Sequence, residues 1–177
     1  METKIAIMEN FFINPGTAYH IREISKLTKI NHMTVGKYLK VLKNDAYLII
    51  KESTPYNTYK ADTASKKYVN LKRYYNLEKL RKSEIIDALE KEFDFPVIVL
   101  FGSYARAEDD SNSDIDIAII SEAKKEIDIS QYEKKLKKKI SIHLFNHKKW
   151  EETKKKNPEL VNSICNGLVL SGQLEVL

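Results

Sequence analysis

Hydrophobic and polar positions alternate in three different ways along the chain. Over residues 1–62 apolar side chains first recur at helical spacing and then shift toward a period of two. "KIAIMENFFI" (4–13) sets Ile5, Met8, Phe12 and their neighbours on one stripe, and Asn14-Pro15-Gly16 supplies the stop. Ile21, Ile24 and Leu27 mark a short amphipathic helix. After the turn "TKIN", Val35, Tyr38, Leu39 and Leu42 mark a third. "YLIIKES" and "YNTYKAD" are β-rich runs separated by Thr54-Pro55, which predicts a hairpin. Residues 63–95 contain neither Gly nor Pro, and keep Val69, Leu71, Tyr74, Tyr75, Leu77, Leu80, Ile85 and Leu89 at helical spacing. That predicts one long linking helix, or two with a break near Lys82-Ser83. In residues 96–177, strand-like runs at 97–101, 114–120 and 140–145 alternate with helical patterns at about 126–139, 147–156 and 159–166. Such an order belongs to an α/β or α+β domain.

Composition narrows the class. Apolar residues make up 42% of the 177 and charged ones 31%, enough for packed cores and too polar for a membrane protein. The longest apolar runs, such as "VIVLF" (97–101), are strand-sized, far short of the roughly 20 residues of a membrane span. The N-terminus carries acids and no basic segment ahead of a long apolar core, so no secretion signal is expected. A lone Cys165 forms no internal disulfide and builds no zinc site by itself. These features predict a cytoplasmic protein with no membrane partner. The net charge of +5 lies in the N-terminal half, since residues 96–177 balance at 13 basic against 13 acidic residues. That excess points toward a polyanion there. The runs "KKLKKK" (134–139) and "KKK" (154–156), and the acids Glu108, Asp109 and Asp110, read as solvated surface.

Candidate chemistry concentrates in "VLFGSYARAEDDSNSDIDIAII" (99–120). A buried strand ending in Gly102-Ser103 before a helix-compatible run offers backbone N–H groups, a hydroxyl and a favourable helix dipole to a phosphate. In "SDIDIAII" the period of two puts Asp114 and Asp116 on one face, with Ile115 and Ile117 on the other. Paired carboxylates repel unless a cation lies between them. Opposite a phosphate-binding turn, that cation is expected to be Mg²⁺, shared with substrate phosphates.

Two family resemblances extend these readings. Residues 20–60, with "HIREISKLTKINHMTVGKYLKVLKNDAYLI" at their heart, resemble the winged helix-turn-helix of bacterial and archaeal repressors. Ile24, Leu27, Val35, Leu39 and Leu42 would pack its helices. The resemblance implies binding of double-stranded DNA through Asn31, His32, Thr34, Lys37, Tyr38 and Lys40 on a recognition helix. Lys51, Tyr56, Asn57 and Lys60 of the wing would reach the flanking backbone. Where that family usually has a turn glycine, this chain has Lys29.

Residues 90–172 resemble the minimal nucleotidyltransferases of the DNA polymerase β superfamily. Their G-S-x-A-x-G motif stands here as Gly102, Ser103, Tyr104, Ala105, Arg106 and Ala107, and their S-D-x-D as Ser113, Asp114, Ile115 and Asp116. The closing "NGLVLSG" also looks like the end of those domains. The combined expectation is an α+β protein of three parts. They are a winged helix-turn-helix (1–62), a helical linker (63–95), and a mixed sheet flanked by helices (96–177).

The resemblance implies transfer of a nucleoside monophosphate from an NTP, with Asp114 and Asp116 holding Mg²⁺ or Mn²⁺. Gly102, Ser103, Arg106 and Ser113 would bind the nucleotide. Two positions depart from the family. Ala107 replaces the second glycine, where it would crowd the helix start. On "KISIHLF" (139–145), Ser141 or the next same-face residue, His143, stands where a third catalytic acid belongs. Intact Gly-Ser and Asp-x-Asp elements favour an enzyme, while the missing acid favours a DNA-binding regulator with a non-catalytic nucleotidyltransferase domain. Antitoxin-type relatives imply a toxin-like helical partner protein, and the apolar stripe of 63–95 would suit a homodimer.

Overall fold

Helix α1 (Glu2–Ile13) buries Ile7, Met8, Phe11 and Phe12, so the core stripe centres on Ile7 and Phe11, leaving Ile5 half-buried. Across a turn, α2 (Ile21–Thr28) and α3 (His32–Asn44) pack against each other through Ile24, Val35, Leu39 and Leu42, all fully buried. Leu27, expected in that core, lies 58% exposed, because the one buried residue of the two-turn α2 is Ile24. A capping box starts α2: the backbone N–H of His20 donates to the Glu23 carboxylate at 2.6 Å, and His20 Nδ1 accepts from the Arg22 N–H at 3.3 Å. Lys29 ends it in the left-handed region, at φ 58°. The turn therefore adopts a glycine-favouring geometry with a lysine in place.

The computed structural model describes residues 2–52, 56–123, 125 and 127–174. Strands β1 (Leu48–Lys51) and β2 (Thr58–Ala61) pair antiparallel, and Tyr19 adds a bridge to Tyr59 through two 2.8 Å bonds. The predicted Thr54-Pro55 turn lies outside the described residues. The chain forms two compact units, residues 1–72 and 73–177, and the boundary falls inside α4 (Lys66–Ser83). In the first unit, the buried Tyr68 of α4 donates its hydroxyl to Phe11 O at 2.8 Å.

The second unit takes the rest of α4. Ser83 Oγ donates back to Leu80 O at 2.6 Å and Glu84 turns left-handed at φ 68°, which breaks the helix before α5 (Ile85–Glu92). Leu80, Ile85, Leu89 and Phe93 join Ile98, Leu100, Ile115, Ile117 and Ile119 in one core. The 63–95 segment is therefore divided between the two units and contributes core to the second.

That core covers one face of a mixed four-stranded sheet of order β5-β4-β3-β6. The strands are β3 (Val97–Phe101), β4 (Ile115–Ile120), β5 (Ile140–Phe145) and β6 (Leu168–Ser171). Central β3 and β4 are antiparallel, β4 and β5 parallel, and β6 closes antiparallel on β3. The short α6 (Gly102–Arg106) links β3 to β4, and α7 (Ser130–Leu136) precedes β5. α7 is shorter than the predicted 126–139, whose residue 126 is outside the described ones. On the opposite face Val99, Phe101, Ala118 and Phe145 pack under Trp150 of α8 (His147–Lys156) and Val161 and Ile164 of α9 (Pro158–Cys165). Among the described residues, no helix is long and apolar enough to cross a membrane.

Candidate active site

Strand β3 delivers the chain to Gly102, which starts α6 with φ 73°. A Cβ at Gly102 would overlap the Asp116 carboxylate. The glycine thus lets the first peptide of α6 lie directly against the central acid of the sheet. Ser103 follows, and among the described residues its hydroxyl has no hydrogen-bond partner. On β4, Asp116 pairs in register with Phe101 on one side and Ser141 on the other. Asp114 sits one residue before the strand, exposed, rather than within it.

The two residues read at the third-acid position lie beside Asp116. Ser141 stands beside Asp116, and His143 Nε2 comes to 3.7 Å from Asp116 Oδ1 while its ring meets Phe101 edge-on at 5.1 Å. Gly102, Ser103, Asp116, Ser141 and His143 are therefore gathered at one end of β3, α6, β4 and β5. A cleft of about 310 Å³ borders Gly102 and Arg106 and is also lined by Asn162 and Ser163 of α9 and by Asn166 just past its end. Another, of about 470 Å³, borders His143 and runs between β5 and α8.

Ala107 has a different role from the one its sequence position suggested. It ends α6 rather than crowding its start, at φ 61°, with its N–H donating to Tyr104 O and the Glu108 N–H to Ser103 O at 2.9 Å. This is the Schellman closure of a helix, whose left-handed position favours glycine. An L-residue there carries roughly 1–2 kcal/mol of strain, and glycine would return about 0.4–1 kcal/mol through unfolded-state entropy. Ala107→Gly is therefore expected to stabilise the second unit by about 0.5–1 kcal/mol, a rise of about 2 °C in Tm. Differential scanning calorimetry checks it; a lower Tm would show that no strain is stored at this helix end.

The loop from Glu108 to Ser113 also departs from expectation. Glu108 is exposed and pairs with Arg106 at 2.7 Å, which engages the arginine expected to contact nucleotide. Asp109, read as solvated, is only 2% exposed. It accepts from Asn76 Nδ2 at 2.8 Å and faces Lys138 Nζ at 3.7 Å. Lys138, also read as solvated, has a side chain 12% exposed. Its ammonium donates to Ser113 O at 3.0 Å and to Asp110 O, and lies over the Tyr104 ring. The Asn112 backbone N–H, the Ser113 hydroxyl and Lys138 hold the Asp110 carboxyl below its ordinary pKa. The Ser113 hydroxyl is thus engaged in the turn that leads to Asp114. Burial, and secondarily the Asp109 charge, push the Tyr104 phenol well above its usual pKa.

Side chains of α4 grip the same region. Arg73 Nε donates to Ala105 O at 3.1 Å and Asn76 Nδ2 to Tyr104 O at 3.0 Å. Sequence reasoning missed Arg73 and Asn76, and read Asp109 and Lys138 as solvated. Only Asn76 leaves a trace, as a polar residue one turn before Leu80 on the buried stripe.

The donor set is selective. Among the described residues, no three His, Cys, Asp or Glu side chains converge as a metal-binding group. A Mg²⁺ brought on a triphosphate needs only one or two carboxylates besides phosphate oxygens, and Asp114 with Asp116 fits that demand. A second ion held by protein alone is not served, since a serine hydroxyl and an imidazole are poor ligands for a hard cation.

In the first unit, His32, Lys37, Lys40, Lys51, Tyr56 and Asn57 are exposed, and Thr34, Tyr38 and Lys60 are half-buried. Asn31 is exposed, but its Oδ1 caps α3 by accepting from the Met33 N–H at 2.9 Å. Tyr56 packs on His20 at 4.9 Å between ring centroids.

A family model described as polymerase beta, nucleotidyltransferase matches residues 83–171, from the helix break at Ser83 through the end of β6. No curated protein matches the chain.

Proposed function

Because the chain belongs to the polymerase beta nucleotidyltransferase family, we propose that it binds a nucleoside triphosphate and moves its nucleoside monophosphate to an acceptor hydroxyl, the new O–P bond replacing the bond to pyrophosphate, which leaves as the hydroxyl loses its proton. One observation carries this reading: Gly102 brings the start of α6 against Asp116 so closely that no side chain fits between them. Phosphate oxygens beside Ser103 would meet the backbone N–H groups of α6 and a hydroxyl with no other partner among the described residues. Asp114 and Asp116 would receive the Mg²⁺ or Mn²⁺ carried by the nucleotide, a Lewis acid that offsets phosphate charge. Asp116 would hold that metal beside Gly102, and an acceptor entering by the cleft at His143 would approach from the β5 side.

A second reading is favoured by Ser141 and His143, which put no carboxylate at the third position. There the domain binds the nucleotide or a partner protein without turnover and serves regulation. One experiment separates the two. The protein is incubated with labelled NTPs, Mg²⁺ or Mn²⁺, and cell extract as acceptor, beside the Asp114→Ala/Asp116→Ala variant. Label transferred by the wild type and lost in the variant rules out the binding-only reading. Calorimetric NTP binding without transfer rules out the enzyme for those acceptors.

We further propose that the first unit is a winged helix-turn-helix acting in the cytoplasm on double-stranded DNA. The order of three helices and a hairpin, and the exposed Lys37, Lys40 and Lys51, support this. A helical, toxin-like protein remains the acceptor class that the family resemblance suggests, and a homodimer the natural form on DNA. Lys37→Ala with Lys40→Ala is expected to weaken duplex binding and lower the slope of log affinity against log salt by about 2. Fluorescence anisotropy across a salt series measures it, and a wild type without salt-dependent duplex binding removes the DNA assignment.

A further inference from the structure

The run "KKLKKK" contains one lysine unlike its neighbours. Lys138 lies between the end of α7 and the start of β5, and its side chain turns inward. Its ammonium faces the buried carboxylate of Asp109 and donates to two carbonyls of the following turn, those of Asp110 and Ser113. The Ser113 carbonyl belongs to the peptide that joins Ser113 to Asp114. One cation therefore binds the loop at three points and ends one bond short of the exposed acid.

A surface turn rich in Asp, Ser and Asn is ordinarily the mobile part of a site. This one is anchored from both ends. Asn76 holds Asp109 and the end of α6, while Lys138 holds Asp109 and the approach to Asp114. Burying the Asp109 carboxylate is tolerable only while a cation and hydrogen-bond donors face it. The pair is therefore a committed structural element rather than an exchangeable surface contact.

From this geometry we infer that Lys138 is a positioning residue that fixes the peptide of Asp114, and through it the carboxylate that receives the nucleotide-bound metal. The inference rests on the nucleotide reading of the site and deepens it. It assigns to Lys138 and Asp109 the preorganisation that a site of this kind needs, since an ångström of misplacement costs about a hundredfold.

The decisive variant is Asp109→Asn/Lys138→Met. It removes both charges of the pair together, so neither is left facing an empty place, but it also deletes the two hydrogen bonds to the Asp110 and Ser113 carbonyls. Two measurements are made: calorimetric binding of Mn²⁺-loaded ATP, GTP, CTP and UTP, and amide exchange at Ile115, whose N–H donates to Lys139 O at 2.9 Å. A positioning role predicts Tm within a few degrees of the wild type, Ile115 exchange at least ~10-fold faster, and Mn-nucleotide affinity lower by ~10–100-fold. A purely structural role predicts wild-type exchange at Ile115 and wild-type affinity once the variant is folded, and that result overturns the inference. Should the double variant fail to fold, Lys138→Arg keeps a cation beside Asp109 while displacing the donors from Ser113 O. Faster Ile115 exchange then supports the clamp and wild-type exchange overturns it. A wild type that binds no Mn-nucleotide refutes the nucleotide reading separately, while the exchange result still decides whether Lys138 holds the turn.

Discussion

Gly102→Ala is expected to lower Mn-nucleotide affinity at least ~100-fold while leaving a folded protein. Two independent penalties act at this position. The backbone is left-handed, at φ 73°, which an alanine tolerates only with roughly 1–2 kcal/mol of strain. The new methyl would also occupy the space of the Asp116 carboxylate. Asp116 has one route of escape, rotation away from α6 toward Ser141 and His143, since its backbone is fixed by paired strands on both sides. That rotation separates the acid from the phosphate-facing peptides of α6. If α6 moves instead, the same separation results. Calorimetry of the variant with Mn-nucleotides, alongside its Tm, measures the effect. Near-wild-type affinity would mean that the contact between Gly102 and Asp116 does not organise the site.

The second large effect is a gain. Ser141→Asp should raise Mn²⁺ affinity by ~10-fold or more and make the Tm depend on Mn²⁺. Ser141 and Asp116 are in-register neighbours on parallel strands about 4.8 Å apart. A carboxylate introduced there would face Asp116 across one cation diameter. Without metal, the two acids repel, so each carboxyl's pKa rises in the folded state. A folded-state pKa raised in this way removes stability above the carboxylate range and leaves it intact below. The metal-free variant should therefore be less stable than the wild type at pH 7 and equal to it near pH 3. Added Mn²⁺ should reverse the deficit at pH 7. If transfer activity is weak in the wild type for want of this ligand, the same variant should increase it. A Tm indifferent to both pH and Mn²⁺ would place the new side chain away from Asp116 and discard the third-position assignment.

Local rules made half of this site visible in the sequence. A β-rich run that stops at Gly-Ser, and an Asp-x-Asp that obeys the period of two, depend on nearest neighbours alone. The structure places Gly102, Asp116, Ser141 and His143 within one neighbourhood and leaves Asp114 just before the strand. Features set by distant partners were not visible. Asp109 is buried because Asn76, 33 positions earlier, and Lys138, in the link between α7 and β5, reach it. Nothing in "EDD" or "KKLKKK" distinguishes the inward residue from its solvated neighbours. Leu27 fits a helical stripe, yet α2 turns only Ile24 into the core. Ala107 misled because α6 lasts five residues, so a position that looks like a helix start is already its end. Positive φ at Glu84 is equally silent in sequence, whereas at Lys29 and Ala107 the only trace is the glycine that the resembled families carry there.

The position of α4 limits how this protein can be divided. A fragment cut at residue 96 would discard Leu80, Ile85, Leu89 and Phe93 from the core, and Arg73 and Asn76 from the support of α6. One ending at residue 62 would lose Tyr68 and its bond to Phe11. A cut at 72/73 spares both sets of contacts but leaves each half with a severed helix end. Unlike two domains joined by a loop, these halves share a structural member across their border. Exchange of either half between proteins, in the laboratory or by recombination, would have to carry a splice within the helix and keep its phase.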